Sequence, residues 1–128
     1  MSEELNIEEE LQKLDAAEET ANYYIQRAKD YEVLINIPQF QSVILDGYLR
    51  QEEQDVFEML TSVFTNKAEV QEKLNYRLEM IRNMKAYLGT DDYAGTIMLE
   101  GQKYKEELKA IATAREALIS EEFDNGSK

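Results

Sequence analysis

Apolar residues recur at helical spacing across the first quarter of the chain. Steps of four and three residues define a seam in which one of seven positions is polar: Ile7, Leu11, Leu14, Glu18, Ala21, Ile25 and Ala28. This heptad-like spacing predicts a helix from about Ile7 to Leu34, with Asn6 as its N-cap. The helix should end before Pro38, because the residue preceding a proline avoids the α region. The small residues of the seam would let a second helix approach closely.

The segment that follows Pro38 has two interpretations. In the first, apolar residues from Phe40 to Tyr48 continue at helical spacing behind a proline that starts a helix. In the second, residues 43–45 and 48–49 form a tiny hairpin about Asp46-Gly47, a favoured turn pair. We favour the helix, since a two-stranded hairpin is marginal unless something covers it. A further helix is predicted over residues 52–63, with Val56, Phe57 and Leu60 as its buried side chains.

A third long helix is predicted from about Lys67 to Leu88. Its apolar stripe consists of Val70, Leu74, Leu78, Ile81, Met84 and Leu88. Gly89 suits the position just beyond a helix end, where the left-handed backbone region favours glycine.

The fourth helix is predicted to start near Asp92, with Thr90 or Asp91 as its cap. Its stripe consists of Ile97, Gly101, Tyr104, Leu108, Ile111, Arg115 and Leu118. A glycine inside a helix costs about 1 kcal/mol relative to alanine. Gly95 and Gly101 are therefore easier to understand if another stretch of backbone packs close to them.

These elements together predict an all-α fold. We expect an elongated helical bundle or coiled-coil hairpin of three to four helices, with a kink or a tiny β-hairpin near residues 40–50. A single domain should cover residues 1–119, and residues 120–128 should form a flexible acidic tail.

Composition narrows the range of functions. The 128 residues include 27 acidic and 14 basic ones, a net charge of −13, and neither cysteine nor histidine. Thiol and histidine chemistry and the usual zinc sites are therefore excluded. Paired carboxylates could hold a metal ion, but acidic pairs three residues apart occur only as often as chance predicts. We therefore expect no metal site and no cofactor. We also expect no catalytic residue and no enzymatic activity. A chain with this net negative charge should be repelled by the phosphates of nucleic acid, so we do not expect it to bind nucleic acid directly.

The charge is unevenly distributed along the chain. Residues 1–19 carry a net −7 and residues 30–65 a net −6, whereas residues 66–90 carry a net +2. This asymmetry allows pairing between copies of the chain. The acidic start and the lack of an apolar run of ~20 residues predict no membrane contact and a location in the cytoplasm.

The strongest candidate for a functional surface is an interface on the first helix. Its narrow, alanine-rich seam should be covered only in part within one chain. We expect the remainder to contact another copy or a partner through Ala21, Tyr23, Tyr24, Ile25 and Ala28.

The central segment IPQFQSVILDGYLRQEEQDVFEML resembles one found in small, largely uncharacterised proteins of tailed bacteriophages. The shared features are Phe40, the aliphatic run 43–45, Gly47-Tyr48 and then an acid-rich helix. In those proteins a long acidic helix precedes the segment. Helices resembling KLNYRLEMIRNMKAYL and REALISEEF follow it.

The resemblance implies a phage structural or assembly protein, located in the host cytoplasm and then in the virion. Together with the partly covered seam of the first helix, it predicts a protein that acts as a homo-oligomer and contacts other virion proteins. The alternative is a phage-encoded acidic inhibitor, a nucleic-acid mimic directed against a host defence or nucleic-acid-processing protein.

Overall fold

A computed structural model describes residues 2–90 and 93–126, and the all-α class is confirmed. Helix α1 spans Ser2–Leu34 and α2 spans Pro38–Phe40. A π-helix, Gln41–Glu52, leads directly into α3, Glu53–Thr61. After a 3-10 turn at Val63–Thr65, α4 covers Ala68–Leu88 and α5 covers Thr96–Gly126. Strands β1, Gly89–Thr90, and β2, Tyr93–Ala94, lie between α4 and α5.

The end of α1 was predicted correctly, but its start was not. The helix ends at Leu34 and Pro38 opens the next helical run, as expected. Asn6 lies inside α1 and is not an N-cap, because the helix already begins at Ser2. The acidic residues of this first stretch favour helix at the positive end of the helix dipole.

The segment after Phe40 is helical, and the hairpin interpretation is wrong. Residues 41–52 form a π-helix, whose hydrogen bonds join residues five apart. Helical hydrogen bonds satisfy the backbone locally, whereas two very short strands would need a covering layer. Gly47 suits this wider turn, since a Cβ at that position would lie 3.0 Å from the Ser42 carbonyl oxygen. In α3, Val56 is fully buried and Leu60 partly so, but Phe57 is exposed, contrary to expectation.

The junction between α4 and α5 depends on two glycines. Gly89 has a φ of 95°, which confirms its predicted role just beyond α4. Gly89 pairs with Ala94 and Thr90 with Tyr93 in an antiparallel ladder. A Cβ on Gly95 would lie 2.3 Å from the Gly89 nitrogen, so this close backbone approach requires glycine.

Helix α5 begins later and ends later than predicted. It starts at Thr96 rather than near Asp92, because the chain first forms the short ladder, and Thr90 belongs to that ladder rather than to a cap. Asp91 and Asp92 lie outside the described residues. The helix continues to Gly126, past Ser120, where we placed the start of the tail.

The chain contains two compact units. The terminal unit consists of residues 1–28 and 99–128, and the central unit of residues 29–98. In the terminal unit, segments of α1 and α5 bury the side chains Ile7, Ala21, Ile25, Ala28 and Ile111. In the central unit, the π-helix and α3 pack on α4. The core of this unit includes Leu49, Val56, Leu74, Leu78, Ile81 and Leu88.

Candidate protein-interaction surfaces

Three of the five residues predicted to form an interface are already buried inside the terminal unit. Ala21 has no exposed surface, and Ile25 and Ala28 are almost completely covered within a single chain. The expectation that another copy or a partner buries this part of the seam is therefore wrong for these three residues. The physical reason is the length of α5, whose 31 residues allow it to run along the seam.

The pairing of α1 with α5 is antiparallel and closely packed. A Cβ built on Gly101 would lie 2.5 Å from the Ala28 Cβ, so the two helices approach here as closely as glycine and alanine permit. The Tyr24 ring stacks on the Tyr104 ring, with centroids 4.6 Å apart and planes within 7° of parallel. The close approach that we predicted from the small residues and from Gly101 is thus confirmed.

Ion pairs join the same two helices at both ends of this contact. The Arg27 guanidinium donates to Glu100 at 2.5 Å. The Arg115 guanidinium donates to Glu18 at 2.5 Å and to Asp15 at 2.9 Å. The hydrogen bond to the Glu18 carboxylate raises the pKa of Arg115 above its ordinary value. Glu18 is the polar position of the α1 seam, and Arg115 is the charged position of the predicted stripe on α5. The two side chains contact each other.

The two adjacent tyrosines of α1 differ in their surroundings. Tyr24 lies in the helix pair, and Arg27 stands over its ring at 4.8 Å from the centroid. Tyr23 is 63% exposed and contacts Tyr24 edge to face at 5.1 Å. Of the predicted interface residues, Tyr23 alone presents most of its side chain to solvent.

Helix α4 of the central unit carries a second apolar surface that we did not predict. Its buried face is the predicted one, except that Met84 is exposed and Val70 is only half-buried. The exposed surface, here called the α4 stripe, consists of Tyr76 (64% exposed), Met80 (46%), Met84 (41%) and Tyr87 (38%). These residues are four, four and three positions apart, so they lie along one side of the helix.

The stripe was detectable in the sequence as a second set of apolar positions at helical spacing. The predicted stripe of this helix covers one apolar face only and includes Met84. A helix that is apolar on two faces needs a cover for each of them, and the described neighbours of α4 leave this second face exposed.

A groove between the π-helix and α4 extends the α4 stripe. It measures about 470 Å³, and Val43, Gly47 and Tyr48 face Tyr76 and Met80 across it. Val43 is exposed. Arg77 is paired with Glu52 beside the groove. The central unit therefore presents a continuous apolar surface formed by two helices.

A larger cavity of about 810 Å³ lies on the other side of the π-helix. Apolar side chains such as Leu45, Leu49 and Leu88 line it. Its charged groups are engaged within the protein, since Arg50 pairs with Asp46 at 3.3 Å and Lys85 with Glu53 at 2.8 Å.

Tyr31 lines this larger cavity, and burial raises the pKa of its phenol. The side chain is almost completely covered. Because desolvation disfavours the charged phenolate, Tyr31 keeps its phenolic proton to a higher pH than an exposed tyrosine does.

Two other classes of site are not found among the described residues. No group of three or more acidic residues there is placed to hold a metal ion. None of the described helices is both long and apolar enough to cross a membrane. Comparison of the chain with protein-family models, curated proteins and solved structures found no match.

Proposed function

We propose that this protein is a non-enzymatic phage structural or assembly protein that works as an oligomer through protein–protein contacts. The observation that supports protein–protein contacts is the exposed apolar surface of the central unit, formed by the α4 stripe and Val43. Contiguous apolar patches on folded proteins mark interaction sites. Tyrosine and methionine are also among the residues enriched at protein interfaces.

The partners follow from the charge and from this surface. A chain of net charge −13 is repelled by phosphate, so its contacts are with protein: copies of itself and other virion proteins. No cofactor is required for such a role. We place the protein in the host cytoplasm during assembly and then in the virion.

The experiment that tests oligomer formation is sedimentation velocity at tens of micromolar, in low and in high salt. We expect an oligomer that persists or strengthens at high salt. Apolar contacts hold it together, whereas the acidic segments repel one another until salt screens them. A strict monomer under both conditions would contradict the oligomer.

The assembly role has a separate test. Purified virions of the phage that carries the gene should contain the protein, detected by immunoblot after a density gradient. The gene should lie beside capsid or tail genes. A position among early genes, with no protein in virions, would contradict the assembly role.

The second candidate is an acidic inhibitor that mimics nucleic acid. Helix α1 supports it, because its net charge is −7 and the carboxylates Glu8, Glu9, Glu10 and Glu19 are exposed. A mimic should bind a nucleic-acid enzyme at low salt, compete with DNA, and lose affinity steeply as salt rises. Binding that is insensitive to salt would argue against mimicry.

A further inference from the structure

We infer that the α4 stripe is a two-fold interface, at which helix α4 packs antiparallel against α4 of a second copy of this chain. The inference rests on the proposed function, because it identifies the surface through which the oligomer forms. The α4 stripe takes the place of the α1 seam as the predicted contact between copies, because Ala21, Ile25 and Ala28 of the seam are covered within one chain.

The order of residues along the stripe suits a two-fold pairing. Tyrosines occupy both ends, Tyr76 and Tyr87, and methionines occupy the middle, Met80 and Met84. In an antiparallel pair, Tyr76 would face Tyr87 of the second copy, and Met80 would face Met84 of the second copy. Each copy then offers the same patch, as a closed two-fold dimer requires. The contact spans about three helical turns, or ~16 Å at 1.5 Å per residue.

The area of the patch is enough for a reversible dimer. An aromatic side chain contributes roughly 150 to 250 Å² when fully covered. With the exposed fractions given above for the α4 stripe, and with Val43 64% exposed, these five residues present ~500 Å² on each copy. Two copies would bury ~1,000 Å² in total, at the lower end of specific interfaces, where weak and reversible association is found.

Charge favours α4 over the other long helices as the site of contact between copies. Residues 68–88 carry four basic and three acidic side chains, a net charge of +1. The corresponding net charges are −7 for α1 and −3 for α5. The π-helix and α3 together carry a net −4. Two copies that meet through α4 therefore bring together the least repulsive segments of the molecule.

The pairing of Met80 with Met84 across the axis can be tested by charge substitution. Met80→Glu and Met84→Lys should each raise the dissociation constant at least tenfold, because each places a charge against an apolar side chain of the second copy. An equimolar mixture of the two variants should recover association to within about threefold of wild type. In the mixed dimer one glutamate faces one lysine, and the other methionine pair is unchanged.

The measurement is sedimentation velocity of the full chain from 1 to 200 µM. Circular dichroism verifies that the variants fold, which we expect because both methionines point outward. The matched control is Ile119→Glu, a charge placed on an exposed apolar residue of α5 outside the stripe. Its dissociation constant should equal that of wild type.

Three results would overturn the inference. If wild type forms an oligomer and both single variants form it equally well, the α4 stripe is not the interface, although the oligomeric function stands. If the single variants dissociate and their mixture does not recover, the antiparallel pairing is wrong. If wild type is a monomer at 200 µM, both the dimer and the proposed oligomer are wrong, while the presence of the protein in virions is still decided by the immunoblot.

Discussion

The contact between Gly101 and Ala28 permits a quantitative test of how the terminal unit is packed. Gly101 lies inside α5, where alanine would be the better helix former by about 1 kcal/mol. If α5 were exposed at this position, Gly101→Ala would stabilise the protein by that amount. In the structure the new Cβ would lie 2.5 Å from the Ala28 Cβ, much closer than the ~3.5 to 4.0 Å separation at which carbon atoms attract.

The two effects oppose each other, and the steric one should be larger. Inserting a methyl group into a closely packed contact costs about 1 to 3 kcal/mol, because neighbouring side chains or whole helices must shift. After the gain of about 1 kcal/mol in helix propensity, Gly101→Ala should lower the free energy of unfolding by roughly 0 to 2 kcal/mol. The reverse change on the other helix, Ala28→Gly, should cost about 1 kcal/mol in propensity.

The double variant distinguishes a steric contact from independent effects. Ala28→Gly with Gly101→Ala moves one methyl group from one helix to the other and removes the clash. It should therefore be within about 0.5 kcal/mol of wild type, which gives a coupling of about 1 to 3 kcal/mol between the sites. Urea denaturation followed by circular dichroism measures all four stabilities. Ala112→Gly, on an exposed part of α5, reports helix propensity alone.

A different outcome would refute the close approach of α1 and α5. If Gly101→Ala stabilised the protein by the full propensity difference, and if the two changes were additive in the double variant, no contact between these positions would exist in solution.

Three further predictions concern other described side chains. Ala21→Glu should lower stability by on the order of 4 kcal/mol, because it buries an unpaired charge, and circular dichroism should show lost helicity rather than dissociation of intact chains. Arg115→Leu should destabilise the protein at low salt, by an amount that shrinks in 1 M salt if its pairs with Asp15 and Glu18 are the cause. Burial raises the pKa of Tyr31 above 10.0, so its unfolded-state phenol ionises first as pH rises. The folded state should therefore lose stability as pH rises above 10. Tyr31→Phe should reduce that loss, which urea midpoints measured from pH 8 to 11 would show.

Features governed by local backbone chemistry could be predicted from the sequence. Pro38 marks the start of a helical run, and Gly89 adopts the positive φ expected beyond a helix end. Both follow from the conformational limits of a single residue. The position of Gly101 also allowed a prediction about packing. A glycine inside a helix lowers the stability of that helix, which indicated that another stretch of backbone packs close to Gly101.

Which of two apolar faces of a helix becomes buried could not be predicted in the same way. Periodicity shows that α4 has apolar residues on two sides, but it does not show which side the π-helix and α3 cover. Met84 lies between the two sets and was assigned to the wrong one. The π-helix itself escaped prediction, because the apolar pattern of residues 40–48 indicates a helical run but does not show whether its hydrogen bonds join residues four or five apart.

The burial of the α1 seam changes where association between copies must be sought. Ala21, Ile25 and Ala28 of this seam are covered within one chain and have almost no apolar area left to contribute to a dimer, so mutations at these positions act on folding. The α4 stripe retains its area in the folded chain, so mutations there can act on association without loss of structure. Ala21→Glu and Met80→Glu should therefore separate the two properties: the first lowers helicity at every protein concentration, and the second leaves helicity unchanged while it shifts the concentration at which copies associate. If both variants lowered helicity alike, the stripe would be part of the core and not a surface for a second copy.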